Sequence, residues 1–100
     1  MDALNRTDFM ILEVLDNRER NIAANIAHEI DSDRGYLNSR FSTLRNEGLV
    51  RRVGPSKQSG LYEITKKGLV AVNHKEEYLN NEVDDFEAFI ESKLDEMQDT

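Results

Sequence analysis

The chain has 100 residues, of which 38% are hydrophobic, so it is long enough for a single domain with one modest core. It contains no cysteine, which excludes disulfide bonds and thiolate chemistry, and no apolar run approaches the length of a membrane span. Because the first residues also lack the basic and apolar regions of a signal peptide, we expect a cytoplasmic protein.

The formal net charge of −7 is distributed unevenly along the chain. Residues 1–33 include three basic and eight acidic residues, residues 34–67 eight basic and two acidic, and residues 68–100 two basic and ten acidic. A basic centre between acidic flanks indicates one face that binds a polyanion, although chance clustering of lysine and arginine is the alternative. The excess of acidic residues and the preference for arginine over lysine also make the composition halophilic in character.

A first helix is predicted from Thr7 and Asp8, which are suitable capping residues, to about residue 17. Three of its apolar residues suffice for the core of a small domain, namely Ile11, Leu12 and Leu15. The other apolar residues of this region either complete the core locally or form a dimer surface: Leu4, Phe9, Met10 and Val14.

The next stretch predicts two helices joined by a sharp polar turn. Ile22, Ile26 and Ile30 are four residues apart and therefore share one face of a second helix. The turn ends in Asp33, which is a good N-cap for the helix that follows. This arrangement is typical of a helix-turn-helix.

The third helix is predicted over residues 34–47. Leu37, Phe41 and Leu44 form its buried stripe, and Gly48 occupies the expected C-cap. The rest of the helix exposes polar and basic side chains, which suit contacts with base edges and phosphates. We therefore expect this helix to enter the major groove of DNA.

The candidate DNA-binding residues of the third helix are Arg34, Tyr36, Asn38, Ser39, Arg40, Ser42, Thr43 and Arg45. Among them, we expect the base readers to be Asn38, Ser39, Ser42 and Thr43. Arg34 and Arg45 are expected to bind phosphates, and Arg40 to reach a base or a phosphate.

A β-hairpin is predicted directly after the third helix, with strands at residues 49–53 and 61–65. The connection between them is rich in turn residues and includes the single proline of the chain. Basic and polar side chains on the first strand and at the tip add three candidate DNA contacts, which are Arg52, Lys57 and Gln58. A plain hairpin with a solvated loop is the alternative to a DNA-binding wing.

The segment IAHEIDSDRGYLNSRFSTLRNEGLVRR, followed by SGLYEITKKG, resembles the winged helix-turn-helix transcription regulators. It is most similar to the short archaeal and phage-repressor-like members, and more distantly to the MarR and PadR groups. Gly35 departs from the serine or glutamine expected near the start of the third helix, and it lets the backbone come close to a phosphate.

This resemblance implies an α+β fold that is mostly helical, with a three-helix core, a β-hairpin wing and additional C-terminal helices. Residues 1–79 would form the DNA-binding domain. The implied function is that of a sequence-specific regulator, a repressor, which binds a palindromic operator in double-stranded DNA as a homodimer. The alternative is a winged helix used for protein–protein assembly without sequence-specific DNA binding.

Lys66, Lys67 and Gly68 open a fourth helix, and the two lysines are placed to touch the DNA backbone beside the wing. Beyond it, residues 80–100 predict an amphipathic helix that a winged domain does not itself require. Its apolar stripe either packs on its own domain or, as we expect, pairs with a second copy. The candidate dimerisation residues are Leu79, Val83, Phe86, Phe89, Ile90, Leu94 and Met97.

The sequence lacks the arrangements that support catalysis. His28 and His74 are the two histidines, and the absence of cysteine and of a third histidine argues against a metal site. The acidic residues occur in solvated runs, and there is no glycine-rich phosphate loop or Ser/His/Asp set. We therefore expect a protein that is not an enzyme and has no metal or cofactor.

Overall fold

A computed structural model describes residues 3–16, 21–53 and 60–98, and for residues 22–24 and 98 it describes the backbone only. Within these ranges the helices are α1 (Arg6–Leu15), α2 (Ala23–Glu29), α3 (Arg34–Asn46), α4 (Lys66–Asn73), α5 (Lys75–Leu79) and α6 (Phe86–Gln98). The strands are β1 (Asn21–Ile22), β2 (Val50–Val53) and β3 (Leu61–Ile64). The order of three helices, a hairpin and further helices confirms the predicted fold class.

Helix α1 begins slightly earlier than the sequence pattern indicates, because Asn5 is its N-cap. The Asn5 side chain accepts a hydrogen bond from the Asp8 amide at 2.9 Å, and the Asp8 carboxylate accepts one from the Asn5 amide at 2.8 Å. This reciprocal pair is a capping box, and it satisfies two amides that the helix itself leaves without a partner. Thr7, predicted as a cap, lies inside the helix.

The apolar side of α1 that faces the core includes more residues than the three predicted from the sequence. Ile11, Leu12 and Leu15 are fully buried as predicted, and Leu4 and Phe9 are buried with them. Leu4 and Phe9 therefore complete the core locally, which is one of the two alternatives that the sequence leaves open. Of the apolar residues around α1, Met10 is 42% exposed and Val14 half-buried.

Helix α3 has the caps that its sequence predicts. The Asp33 carboxylate accepts a hydrogen bond from the Tyr36 amide at 2.9 Å. At the other end Gly48 has a φ of 77°, and the Leu49 amide bonds back to the carbonyl of Leu44 at 2.9 Å. This is a Schellman motif, in which the left-handed residue is usually glycine because a Cβ would be strained there.

The hairpin joins a third strand that the sequence analysis does not predict. β2 and β3 are antiparallel, with Val50 opposite Ile64, and β1 pairs with the other edge of β3, giving the order β1-β3-β2. β1 has only two residues, which is too few to show the alternating pattern of a strand.

Helix α6 packs back against α4, and its apolar face belongs to the same core. Phe86 is 6% exposed and Ile90 is fully buried. The Tyr78 ring on α5 lies between Phe9 and Phe86, with centroids 5.6 and 4.7 Å away respectively. The expectation that Phe86 and Ile90 pair with a second copy is wrong for this fold, because the chain's own domain already covers them.

The other expected dimerisation residues differ in exposure. Met97 is 52% exposed, whereas the rest are partly buried against the core: Leu79, Val83, Phe89 and Leu94. None of the helices in the described ranges combines the length and apolar character needed to cross a membrane.

Candidate nucleic-acid interface

The solvent-facing side of α3 presents short polar side chains. Asn38, Ser39 and Ser42 are exposed, and Thr43 is half-buried beside them. The Ser42 hydroxyl donates to the Asn38 carbonyl at 3.3 Å, and the Thr43 hydroxyl to the Ser39 carbonyl at 3.5 Å. Each hydroxyl oxygen donates its hydrogen to the helix and keeps its lone pairs, with which it can accept a hydrogen bond from a base amino group.

Asn46 is an exposed residue on this side of α3 that is missing from the DNA-binding residues predicted from the sequence. Gly35, Ser39, Ser42 and Asn46 are spaced four, three and four residues apart, so they form a single stripe along the helix. All four are exposed, and the stripe lies opposite the buried side chains of α3. Because this spacing can be recognised in the sequence alone, it would have identified Asn46 as a candidate DNA-binding residue.

Basic side chains flank the polar stripe at both ends of α3. Arg34 is the first residue of the helix and Arg45 lies in its last turn, and both are exposed. At a rise of about 1.5 Å per residue, the Cα atoms of these two residues lie about 16 Å apart along the helix axis. Such an arrangement suits two phosphates on either side of a groove.

Arg40 is positioned differently from the expectation, since its guanidinium points away from the polar stripe to α1. Its Nε donates to Asp8 Oδ1 at 2.8 Å and its Nη2 to Asp8 Oδ2 at 2.6 Å. The Asp8 side chain is fully buried, and that of Arg40 is only 19% exposed. Because this two-pronged contact uses Nε and Nη2 of Arg40, a base or phosphate would have to compete with Asp8 for the guanidinium.

Tyr36 lies one turn before Arg40 on the same side of α3. Its hydroxyl accepts a hydrogen bond from the Asn5 side-chain amide at 2.9 Å, while 43% of the residue remains exposed. The Tyr36 hydroxyl is therefore bound to the N-cap residue of α1.

In the wing, Arg52 is exposed and lies over a buried aromatic pair. Its guanidinium carbon is 5.6 Å from the Tyr62 ring centre, and its Nη2 donates to the Tyr62 hydroxyl at 3.2 Å. The Tyr62 ring stacks on Phe41 of α3 at 4.2 Å. This stack couples the wing to the helix beside it. Lys57 and Gln58, expected at the wing tip, lie outside the described residues.

The two lysines that open α4 have different surroundings. Lys66 is exposed, whereas Lys67 is half-buried and forms an ion pair with Glu87 of α6 at 3.4 Å. Glu91 lies 4.0 Å from the same amine. Lys67 therefore connects the basic region to the acidic C-terminal helix, and Lys66 is the exposed lysine of the two.

No group of three histidine, aspartate or glutamate side chains in the described parts of the chain is arranged to hold a metal ion. An ion pair joins α1 to α5: the Lys75 ammonium donates a hydrogen bond to the Glu13 carboxylate, and this bond raises the pKa of Lys75 above its ordinary value. Because both groups are well exposed, this contact is a minor one.

A helix-turn-helix of α2 and α3, followed at once by an antiparallel hairpin and packed on α1, defines the winged helix-turn-helix fold. Solved structures confirm it. RosR of H. salinarum has a TM-score of 0.65 and 24% identity, with 96% of this chain and 91% of that chain covered. BldR of Sulfolobus solfataricus has a TM-score of 0.61 and 26% identity, with 97% of this chain and 76% of that chain covered.

MarR of E. coli, in its reduced form, gives a TM-score of 0.64 at 18% identity, with 94% of this chain and 77% of that chain covered. These similarities confirm the winged helix-turn-helix fold, which the chain shares with RosR, BldR and MarR. No protein-family model and no curated protein matches the sequence.

Proposed function

We propose that the chain is a sequence-specific DNA-binding transcription regulator that places α3 in the major groove. The observation that carries the proposal is the exposed polar stripe of α3, flanked by Arg34 and Arg45 within the basic third of an acidic chain. BldR, which is 26% identical over almost the whole chain, is described as a transcriptional regulator.

Sequence would be read by short side chains that reach base edges. Asn38 is the strongest candidate, because an amide can donate to and accept from adenine at once. Ser39, Ser42, Thr43 and Asn46 complete the reading face. Gly35 removes a side chain at the start of the stripe, so that the backbone there approaches the DNA closely.

Phosphate contacts would hold α3 in register. Arg34 and Arg45 supply them from the helix, and Lys66 supplies one from the start of α4. Arg52 and the wing-tip residues Lys57 and Gln58 would contact the backbone or the adjacent minor groove. The acidic flanks then keep other faces of the protein away from the polyanion.

We further propose that the regulator is a homodimer and a repressor acting at a palindromic operator. Two large apolar side chains, Met10 on α1 and Met97 on α6, are 42% and 52% exposed and would form part of the dimer surface. A two-fold dimer would set its recognition helices about 34 Å apart, one turn of DNA, which requires a symmetric site.

The dimer is tested by light scattering on Met97→Lys and Met10→Lys. Asp95→Lys and Asp16→Lys are the controls, because they introduce the same side chain at an exposed position of α6 and at the exposed C-cap of α1. If a methionine variant is monomeric while its control is dimeric, the result supports pairing through the helix that carries that methionine. Wild-type protein that is monomeric at all concentrations contradicts the homodimer.

DNA binding is tested by mobility shift with mixed genomic fragments at several salt concentrations. A regulator retains a small subset of fragments as salt rises, because base contacts persist when phosphate attraction is screened. The same loss of binding for all fragments, or no binding at low salt, favours the alternative of an assembly module whose acidic α6 docks on a basic partner.

A further inference from the structure

Two residues of α3 that face α1 are bound by the same short segment. Arg40 binds Asp8, and Tyr36, one turn earlier, accepts a hydrogen bond from Asn5. Arg40 also donates to the carbonyl of Ala3 at 3.3 Å. Side chains from two successive turns of α3 therefore form hydrogen bonds with the beginning of α1.

The Asp8 carboxylate is the centre of this set of contacts. It is fully buried, and its oxygens accept from Arg40 and from the Asn5 amide. A buried carboxylate needs such partners, because burial without them is unfavourable. Asp8 is in turn fixed by the first turn of α1, so the position of the Arg40 guanidinium is fixed as well.

Apolar packing alone leaves the rotation of a helix less well defined. The buried stripe of α3 consists of Leu37, Phe41 and Leu44, and hydrophobic contacts are not directional. A two-pronged ion pair on one flank of that stripe is directional. It therefore determines which side chains of α3 point away from the domain.

We propose that Asp8 and Arg40 are positioning residues that set the rotation of α3 for reading bases. This inference rests on the proposed DNA-binding function. Neither residue contacts DNA: they act through Asn38, Ser39 and Ser42, whose amide and hydroxyl groups must meet base edges with hydrogen-bond geometry. Phosphate contacts by long arginine side chains tolerate a small rotation of the helix, whereas base contacts by short side chains do not.

The experiment compares Asp8→Asn with wild type in binding a duplex enriched from a random pool and a shuffled duplex, each over a range of salt concentrations. We expect the ratio of the two affinities to fall about tenfold, as for the loss of one base contact. Affinity for the shuffled duplex and its salt dependence should stay unchanged. A loss of folded protein would lower both affinities equally, so the ratio separates positioning from stability.

Three further variants sharpen the comparison. Asp8→Glu keeps a carboxylate at the capping-box position and should restore most of the ratio. Asp16→Asn removes an exposed charge from the end of the same helix and should change nothing. If Asp8→Asn does not fold, Arg40→Lys replaces it, since lysine keeps the charge but not the two-pronged contact.

An unchanged ratio in Asp8→Asn, or in Arg40→Lys where that variant replaces it, overturns the inference. So does tighter binding of Asp8→Asn to both duplexes with a steeper salt dependence, because Arg40 would then be a phosphate-binding residue that Asp8 restrains. A wild-type protein that enriches no duplex and binds all DNA equally refutes the proposed function instead.

Discussion

Gly68 lies directly against the backbone of Leu49. A Cβ built on Gly68 would be 2.1 Å from the Leu49 carbonyl oxygen and 2.7 Å from the Ile64 side chain. The same carbonyl accepts a hydrogen bond from the Thr65 amide at 3.1 Å. The start of α4 can therefore approach the junction of α3 and the wing only because residue 68 has no side chain.

Gly68→Ala should destabilise the fold by about 3 kcal/mol, since backbone atoms must move to admit the methyl group. Thermal or denaturant unfolding measures the effect. Gly35→Ala is the matched control: its Cβ would meet the Asp33 carboxylate at 3.1 Å on the surface, and we expect a change within about 1 kcal/mol. Equal stability of the two variants would contradict the close approach.

The sequence predicts the helix boundaries and the buried stripe of the site better than it predicts which side chains contact each other. The apolar spacing identifies Leu37, Phe41 and Leu44 as the buried stripe of α3, and the caps Asp33 and Gly48 mark its ends. Local patterns of this kind depend on residues within a few positions of each other, so they can be recognised without a structure.

Long-range pairing is not visible in such patterns. Asp8 and Arg40 are 32 positions apart, and nothing in their neighbours distinguishes an internal arginine from one that faces DNA. The same limit applies to α6, because the pattern of an amphipathic helix is identical whether it packs on its own domain or on another copy. Phe86 and Ile90 could therefore be assigned only from the structure.

Truncation after Asn80 should unfold the domain or lower its stability by about 3–6 kcal/mol, because burial of Phe86 and Ile90 is lost. Circular dichroism during heating tests this. Truncation after Met97, which leaves both side chains in place, is the control and should melt like the whole chain. A shortened chain that ends at Asn80 and still melts cooperatively at the wild-type temperature would show that α6 is dispensable for folding.

Asn38→Ala should weaken binding to the preferred duplex by about 1–3 kcal/mol and leave binding to a shuffled duplex nearly unchanged, because a base contact is lost and no phosphate contact is. Asn73→Ala, at an exposed position in the last turn of α4, provides the comparison. Titrations followed by fluorescence anisotropy give both affinities. Equal weakening on the two duplexes would exclude Asn38 as a base reader.

Stability should rise with KCl concentration. The segments before and after the basic centre are strongly acidic, and dissolved ions screen the repulsion within them. Ion pairs such as Lys67–Glu87 weaken under the same conditions, but each is a small contribution at the surface.

Melting temperatures across a KCl series decide between these two effects. The double variant Glu82→Gln, Asp84→Asn removes two exposed charges from the acidic loop before α6 and should reduce the salt dependence. A midpoint that is flat or falls as KCl increases would contradict the halophilic interpretation of the composition.

Binding-site selection from a pool of random duplexes tests the central claim, sequence-specific recognition by α3, most directly. We expect a symmetric motif to be enriched, with an affinity at least about 10³ times that for shuffled DNA at physiological salt. Asn38→Ala should enrich a motif that is relaxed at the bases which Asn38 reads. A pool that remains random after repeated selection with the wild-type protein, or an identical motif for a variant with Asn38, Ser39 and Ser42 all changed to alanine, would contradict the claim.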